Sequence, residues 1–167
     1  MAGGASEQLL TDAGLRGLGE IEQRLGYRMH RLDLLHLQML RERLDEIGLT
    51  PARASALAFV RTNPGAGQSD LARALDINRA SAMEMVNLLT GINAIERREG
   101  RNPRIHALHI TPSGEELYAR FIAITVENDR LITASLSPAE QVEFARLTDR
   151  MGRALQDHLS NTFNTDS

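Results

Sequence analysis

The chain of 167 residues contains no cysteine, which excludes disulfides, thiolate metal sites and thiol redox sensing. It contains no lysine either, so its 19 basic residues other than histidine are all arginine. Tryptophan is absent and aromatics make up only 4% of the chain, so its core must be built from Leu, Ile, Val, Ala and Met. No apolar run reaches the roughly 18 residues of a membrane span. The opening "MAGGASEQLL" lacks the basic-then-apolar pattern of a secretory signal. A cytoplasmic protein with no membrane partner is expected. No glycine-rich phosphate loop, nucleophile elbow or paired acid–histidine motif occurs, so neither an enzyme nor a cofactor is expected. The net charge of −3 means that the whole molecule is not drawn to DNA. Any binding of nucleic acid must come from local patches.

Against these absences stands a hydrophobic fraction of 42%, enough for a core in one domain or two small lobes. Abundant Leu, Ala, Glu and Arg predict a mostly helical chain. Thr50-Pro51, Thr111-Pro112 and Ser137-Pro138 each place a hydroxyl at an N-cap and proline at the first helical position. Glu140 completes a capping box with Ser137. The spacing of Leu25, Met29, Leu32, His36 and Met39 is an apolar stripe, widened by Ile21, Leu35, Leu40 and Leu44. It predicts one long helix over residues 18–47, ended by Gly48. Further helices are predicted over 51–62, 68–76, 79–91, 112–135 and 138–159. Two short strands are predicted near 94–98 and 104–110. The broad apolar faces of the first and last helices exceed what a small central lobe can cover. They predict a homodimer with the terminal helices of two chains packed together.

The stretch "QSDLARALDINRASAMEMVNLL" at 68–89 has the spacing of a helix-turn-helix, in which one helix braces and the next enters the major groove. Directly after it, "RREGRNPRIHALHIT" at 97–111 puts four arginines at a hairpin tip. A basic hairpin alone is weak evidence. Behind a helix-turn-helix it reads as a wing that reaches the minor groove, where negative potential concentrates at narrow A·T steps.

Together with "GLTPARASAL" at 48–57, "LARALDINRASAMEMVNLL" at 71–89, "AIERR" at 94–98 and "NPRIHALHITPSG" at 102–114, this chain resembles the MarR-type winged-helix transcriptional regulators over residues 18–159. The resemblance implies a mainly α fold with a two-stranded β-hairpin wing. It implies a dimerisation helix over 18–47, a DNA-binding lobe over 48–111 and dimerisation helices over 112–160; the Gly-, Ala- and Ser-containing start over 1–17 and the polar tail over 161–167 are expected to be flexible. It also implies a homodimer on a pseudo-palindromic operator, commonly a repressor released by a small ligand, with aromatic acids as common effectors. Asn102 stands where the family wing carries Asp, and Arg104 is the wing arginine. Three departures stand out: Asn93 replaces the family glycine before the first wing strand, Glu84 a basic residue midway in the recognition helix, and Leu88 an arginine near its end.

The candidate DNA contacts are Asn78, Arg79, Ser81, Met83, Glu84 and Asn87 on the recognition helix, with Arg98, Arg101 and Arg104 on the wing. Met83 suits a thymine methyl and Glu84 a cytosine amino group. Asn78 equally suits a capping role, Met83 a core position and Glu84 a solvated one. Between residues 68 and 110, Arg73, Arg79, Arg97, Arg98, Arg101 and Arg104 face Asp70, Asp76, Glu84, Glu96 and Glu99. With charge so nearly balanced, affinity must rest on geometry, chiefly the wing's. For an effector, the resemblance points to a cleft lined by the first and second helices and the start of the fifth. Its candidates are Met29, Leu32, His36, Arg53 and Ser55, although His36 also suits a core or interface position. Two alternatives share the fold: a zinc-responsive regulator drawing on the five histidines, and a winged-helix dimerisation module that binds no DNA. No pair of these histidines has i, i+4 spacing on one helix, and His106 and His109 point to opposite faces of a strand.

Overall fold

The structure, a computed structural model, describes residues 17–99 and 106–164. A short 3-10 turn, Gly19–Gln23, precedes helices α1 (Leu25–Asp45), α2 (Pro51–Thr62), α3 (Gln68–Ala74) and α4 (Arg79–Gly91). Strands β1 (Ile95–Glu99) and β2 (His106–Ile110) then form an antiparallel hairpin, followed by α5 (Pro112–Ile132) and α6 (Pro138–Asn164). This is the expected mainly helical fold with a two-stranded hairpin. The chain divides into two compact units, one up to Thr125 and one from Val126 onward.

Two expectations need correction. The helix predicted over 18–47 is broken, because Arg24 is extended, with φ −73° and ψ 136°. Glu22 turns back to accept from the Leu18 N–H at 2.8 Å, and Gly19 takes a positive φ of 64°, so the chain ahead of Leu25 is a separate capped turn. At the other end, α6 runs through Asn164, four residues into the expected tail. Residues 160–164 contain neither proline nor glycine, and each added residue of an existing helix gains a backbone bond. Residues 1–16, 100–105 and 165–167 lie outside the described residues, and with them most of the expected N-terminal arm, the wing tip and the end of the tail.

Three helices end in the same way. After α1, Leu49 N–H reaches the Leu44 carbonyl and Gly48 N–H the Asp45 carbonyl, each at 3.0 Å. After α3, Ile77 bonds back to Ala72 and Asp76 to Arg73. After α4, Ala94 bonds back to Leu89 and Asn93 to Thr90. These paired bonds are Schellman caps, whose penultimate residue is left-handed. Gly48 adopts φ 74°, Asp76 φ 51° and Asn93 φ 56°. Asn and Asp are the non-glycine residues best suited to that region. The replacement of glycine at Asn93 therefore preserves the turn into the wing.

The first unit's core consists mainly of aliphatic residues. Leu44, Leu49, Leu57, Val60, Leu71, Val86, Leu89, Ile95 and Leu108 are essentially inaccessible, drawn from α1 to α4 and the hairpin. The hairpin is also fastened to the α2–α3 turn: Gly65 N–H donates to the Leu108 carbonyl and Leu108 N–H to the Ala66 carbonyl, both at 2.9 Å. In the second unit, Ser137 and Glu140 form the expected box. Ser137's hydroxyl and backbone N–H both donate to the Glu140 carboxylate, at 2.7 and 2.8 Å. These bonds hold the Glu140 carboxyl below the usual carboxylate range.

The Thr111-Pro112 start of α5 does more than cap a helix. Buried Thr111 accepts from Gly114 N–H at 3.0 Å and donates its hydroxyl to the Asn93 carbonyl. Thr111 N–H also reaches the Ala94 carbonyl at 3.1 Å. This brings α5 so close to the α4–β1 turn that a Cβ on Gly114 would sit 1.9 Å from the Ala94 carbonyl oxygen. Gly114→Ala is therefore expected to cost at least the roughly 1–3 kcal/mol of an overpacked core. Thermal unfolding of the variant beside Gly91→Ala, whose Cβ would meet nothing within 4 Å, checks this. Equal melting temperatures would disprove the close approach.

Candidate nucleic-acid interface

Helix α4 is two-faced for a simple periodic reason. Ala82, Val86 and Leu89 are buried, while Arg79, Ala80, Met83, Glu84, Asn87 and Leu88 are exposed. The buried row packs α4 against the bracing helices, and the opposite row forms a free face. Met83 is half exposed, at 51%, and so is not a core residue. Asn78 caps the helix, its side-chain oxygen accepting from Ser81 N–H at 2.9 Å. Ser81 is half-buried beneath that cap. The remaining candidates Arg79, Glu84 and Asn87 lie on the free face with Met83. α3 is held across the turn by Gln68, whose amide donates to the Arg79 carbonyl at 3.3 Å.

The register pairs Arg97 with Leu108 and Arg98 with Ala107, so the two neighbouring arginines take opposite faces of the hairpin. Arg98 is held by Glu96 on its own face, through Nε at 2.8 Å and a second contact from Nη2. Arg97 instead donates to the Asn87 side-chain oxygen at 2.6 Å and so joins the recognition helix to the wing. Sequence reasoning counted Arg97 only as charge; the available signal was strand alternation, which separates it from Arg98. Arg101 and Arg104 lie outside the described residues.

The effector candidates are spread along two helices. On α1, Met29 and Leu32 are exposed, at 44% and 46%, and His36 is half-buried. On α2, Arg53 is half-buried and Ser55 donates its hydroxyl to the Pro51 carbonyl at 3.0 Å. A shallow groove of 310 Å³ lies elsewhere, lined by Ile47, Gly48, Ile92, Ser113, Glu116, Leu117 and Arg120. None of the five candidates lines it. Among the described residues, no three His, Asp or Glu side chains lie together in a way that could hold a metal ion. At the edge of the lobe Arg61 pairs with Glu115 at 2.8 Å and lies 4.4 Å above the Tyr118 ring, tying the end of α2 to the start of α5.

A braced helix with a free polar face, followed at once by an antiparallel hairpin fastened to the same core, defines a winged helix-turn-helix protein. The chain is 31% identical over 137 residues to the transcriptional regulatory protein proposed for the hcr operon of Thauera aromatica, covering 81% of this chain and 82% of that one. It is 25% identical over 117 residues to the regulator BilQ of Clostridium symbiosum, covering 70% and 81%. Its fold matches that of the transcriptional repressor CouR solved on a 23-mer DNA duplex, with TM-score 0.73, 26% identity and coverage of 82% of this chain and 98% of that one. It also matches a Mycobacterium tuberculosis MarR family protein solved with salicylic acid, with TM-score 0.64, 23% identity and coverage of 77% and 96%. No family model matches the sequence. The chain belongs to the MarR family of transcriptional regulators.

Asn78→Ala leaves the Ser81 N–H uncapped and is expected to cost about 1 kcal/mol, or roughly 2–4 °C in melting temperature for a chain of this size. Amide exchange should accelerate at residues 79–82 before it does elsewhere. Unchanged protection there would show that the cap contributes nothing.

Proposed function

We propose that the protein is a homodimeric repressor that binds a pseudo-palindromic operator and is released by a small aromatic acid. The observation that carries the reading is the free face of α4, with Arg79, Met83, Glu84 and Asn87, set beside a hairpin whose tip sequence holds Arg101 and Arg104. The 23-mer on which CouR was solved is long enough for two major-groove half-sites one turn apart. Arg104 takes the minor-groove role by resemblance, with Arg101 as a further wing cation, whereas the candidate Arg98 is paired with Glu96. A dimer is supported by unpartnered apolar side chains. On α1, Leu25 and Leu35 are 62% and 54% exposed; on α6, Val142, Leu155 and Leu159 are 71%, 57% and 54% exposed. Such exposure supports a surface that a second chain would cover.

The second chain would also complete the effector site. Met29 and Leu32 supply an apolar wall, His36 and Arg53 groups able to meet a carboxylate, and Ser55 a further polar contact. The ligand works only by preferring a spacing of the two winged lobes that does not fit DNA. A hundredfold loss of operator affinity needs about 2.7 kcal/mol of such preference.

The test is fluorescence anisotropy of a duplex from the gene's own upstream region, with wild type and Arg104→Ala across a salt series, followed by addition of benzoate and salicylate. Tight, salt-sensitive binding, weakened by the variant and reversed by an aromatic acid, is expected. Binding no stronger than to a random duplex would overturn the reading. Sedimentation should give twice the 18.5 kDa chain mass, and Leu155→Glu should shift it toward the monomer. A monomeric wild type at micromolar concentration would exclude the dimer.

A further inference from the structure

The recognition helix is short of positive charge. Between Arg79 and the C-terminus of α4 there is no basic residue, and Glu84 adds a negative one. Three arginines of the surrounding lobe are paired with carboxylates: Arg73 with Asp70 at 3.1 Å, Arg98 with Glu96, and Arg61 with Glu115. Arg79 and Arg97 differ, since no carboxylate among the described residues lies within ion-pair reach of either. Arg97 does have a partner, but that partner is the neutral amide of Asn87, at 2.6 Å. The bond fixes the guanidinium in space and leaves its charge intact. A guanidinium offers five donors, so the others stay available.

The spacing of these two cations is informative. Arg79 opens α4, and Asn87, which holds Arg97, lies eight residues further along the same helix. At 1.5 Å per residue that is a rise of about 12 Å, comparable with the major groove's width of about 12 Å. Met83 and Glu84 lie between them on the exposed face. We infer that Arg97, docked on Asn87, is a phosphate-contacting residue of the recognition surface. It replaces from the wing strand a cation that α4 itself lacks, and with Arg79 it holds the two phosphate walls of one major groove. The amide at position 87 is what keeps that charge usable. A carboxylate there would hold Arg97 in the same place and cancel it. The inference rests on the reading of α4 as a DNA-recognition helix.

A salt series separates this role from a structural one, because each phosphate contact contributes about 0.9 to the slope of log affinity against log salt. Anisotropy on a mixed-sequence duplex, with the full-length protein, would compare wild type, Arg97→Gln and Asn87→Asp. Arg97→Gln should lower the slope by about 0.9 per protomer, and about 1.8 for a dimer engaging both half-sites, equally on every sequence. Asn87→Asp should lower the slope likewise while leaving the melting temperature unchanged or higher, since it turns a hydrogen bond into an ion pair. Wild-type slopes in either variant would overturn the inference while leaving the DNA-binding reading intact. So would an Asn87→Asp protein that binds as well as wild type. A wild-type protein with no salt-dependent binding to any duplex would remove the reading and the inference together.

Discussion

The architecture depends on one junction. Where α4 ends, the wing begins, and α5 starts at the same place, because the Thr111 hydroxyl bonds to the Asn93 carbonyl and accepts from Gly114 N–H. Gly114 has no side chain to keep the two backbones apart. The left-handed turn at Asn93 aims Ala94 and Ile95 into the core, and β1 leaves from there with its register already set. A recognition helix and a wing can read one DNA site only if their relative orientation is defined. Here it is defined by buried hydrogen bonds, which are costly to break because each leaves an unsatisfied polar group behind.

Charge is distributed with the same economy. Between residues 68 and 110 five acids stand against six arginines, yet the pairing is selective. Asp70, Glu96 and Glu115 each hold an arginine through exposed contacts. Pairs so accessible add little to stability. Their larger effect is on the electrostatic surface, since they remove charge from some positions and leave it at others. Among the described residues no carboxylate pairs with Arg79 at the start of α4 or with Arg97 beside its later turns. A protein of net charge −3 can therefore still present a local positive edge.

The apolar side chains on α1 and α6 make the opposite case. Their sequence periodicity is that of core-facing helices, but Leu25, Val142, Leu155 and Leu159 remain open in a single chain. α5 carries a different exception. Asn128 is buried, with 1% exposure, and among the described residues neither atom of its side-chain amide has a hydrogen-bond partner. A helix face that interrupts its apolar row with such a residue gives up stability at that point.

Much of this was legible in the chain itself, because the signals are local. Thr-Pro and Ser-Pro fix helix starts through one backbone N–H and one preset φ, and those at 50, 111 and 137 all begin helices. Gly48 and Asn93 mark their left-handed turns in the same local way. The 3.6-residue row of Ala82, Val86 and Leu89 gives α4 its buried side wherever that side is packed. The break at Arg24 could not be read, since an unbroken apolar stripe carries no sign of a side chain turning back to cap a turn. Nor could the length of α6 beyond residue 159, which depends on propagation rather than on any one residue. The partner of Arg97 was out of reach for a different reason. Residues 87 and 97 are separated in sequence by a helix end, a left-handed turn and the start of a strand, and only the folded register decides that Arg97 meets an amide while Arg98 meets a carboxylate. Local spacing already sets Arg73 beside Asp70 and Arg98 beside Glu96, but only the tertiary structure decided that Arg61 meets Glu115 and Arg97 meets Asn87, because those contacts depend on distances of a few ångströms between segments that sequence spacing does not encode.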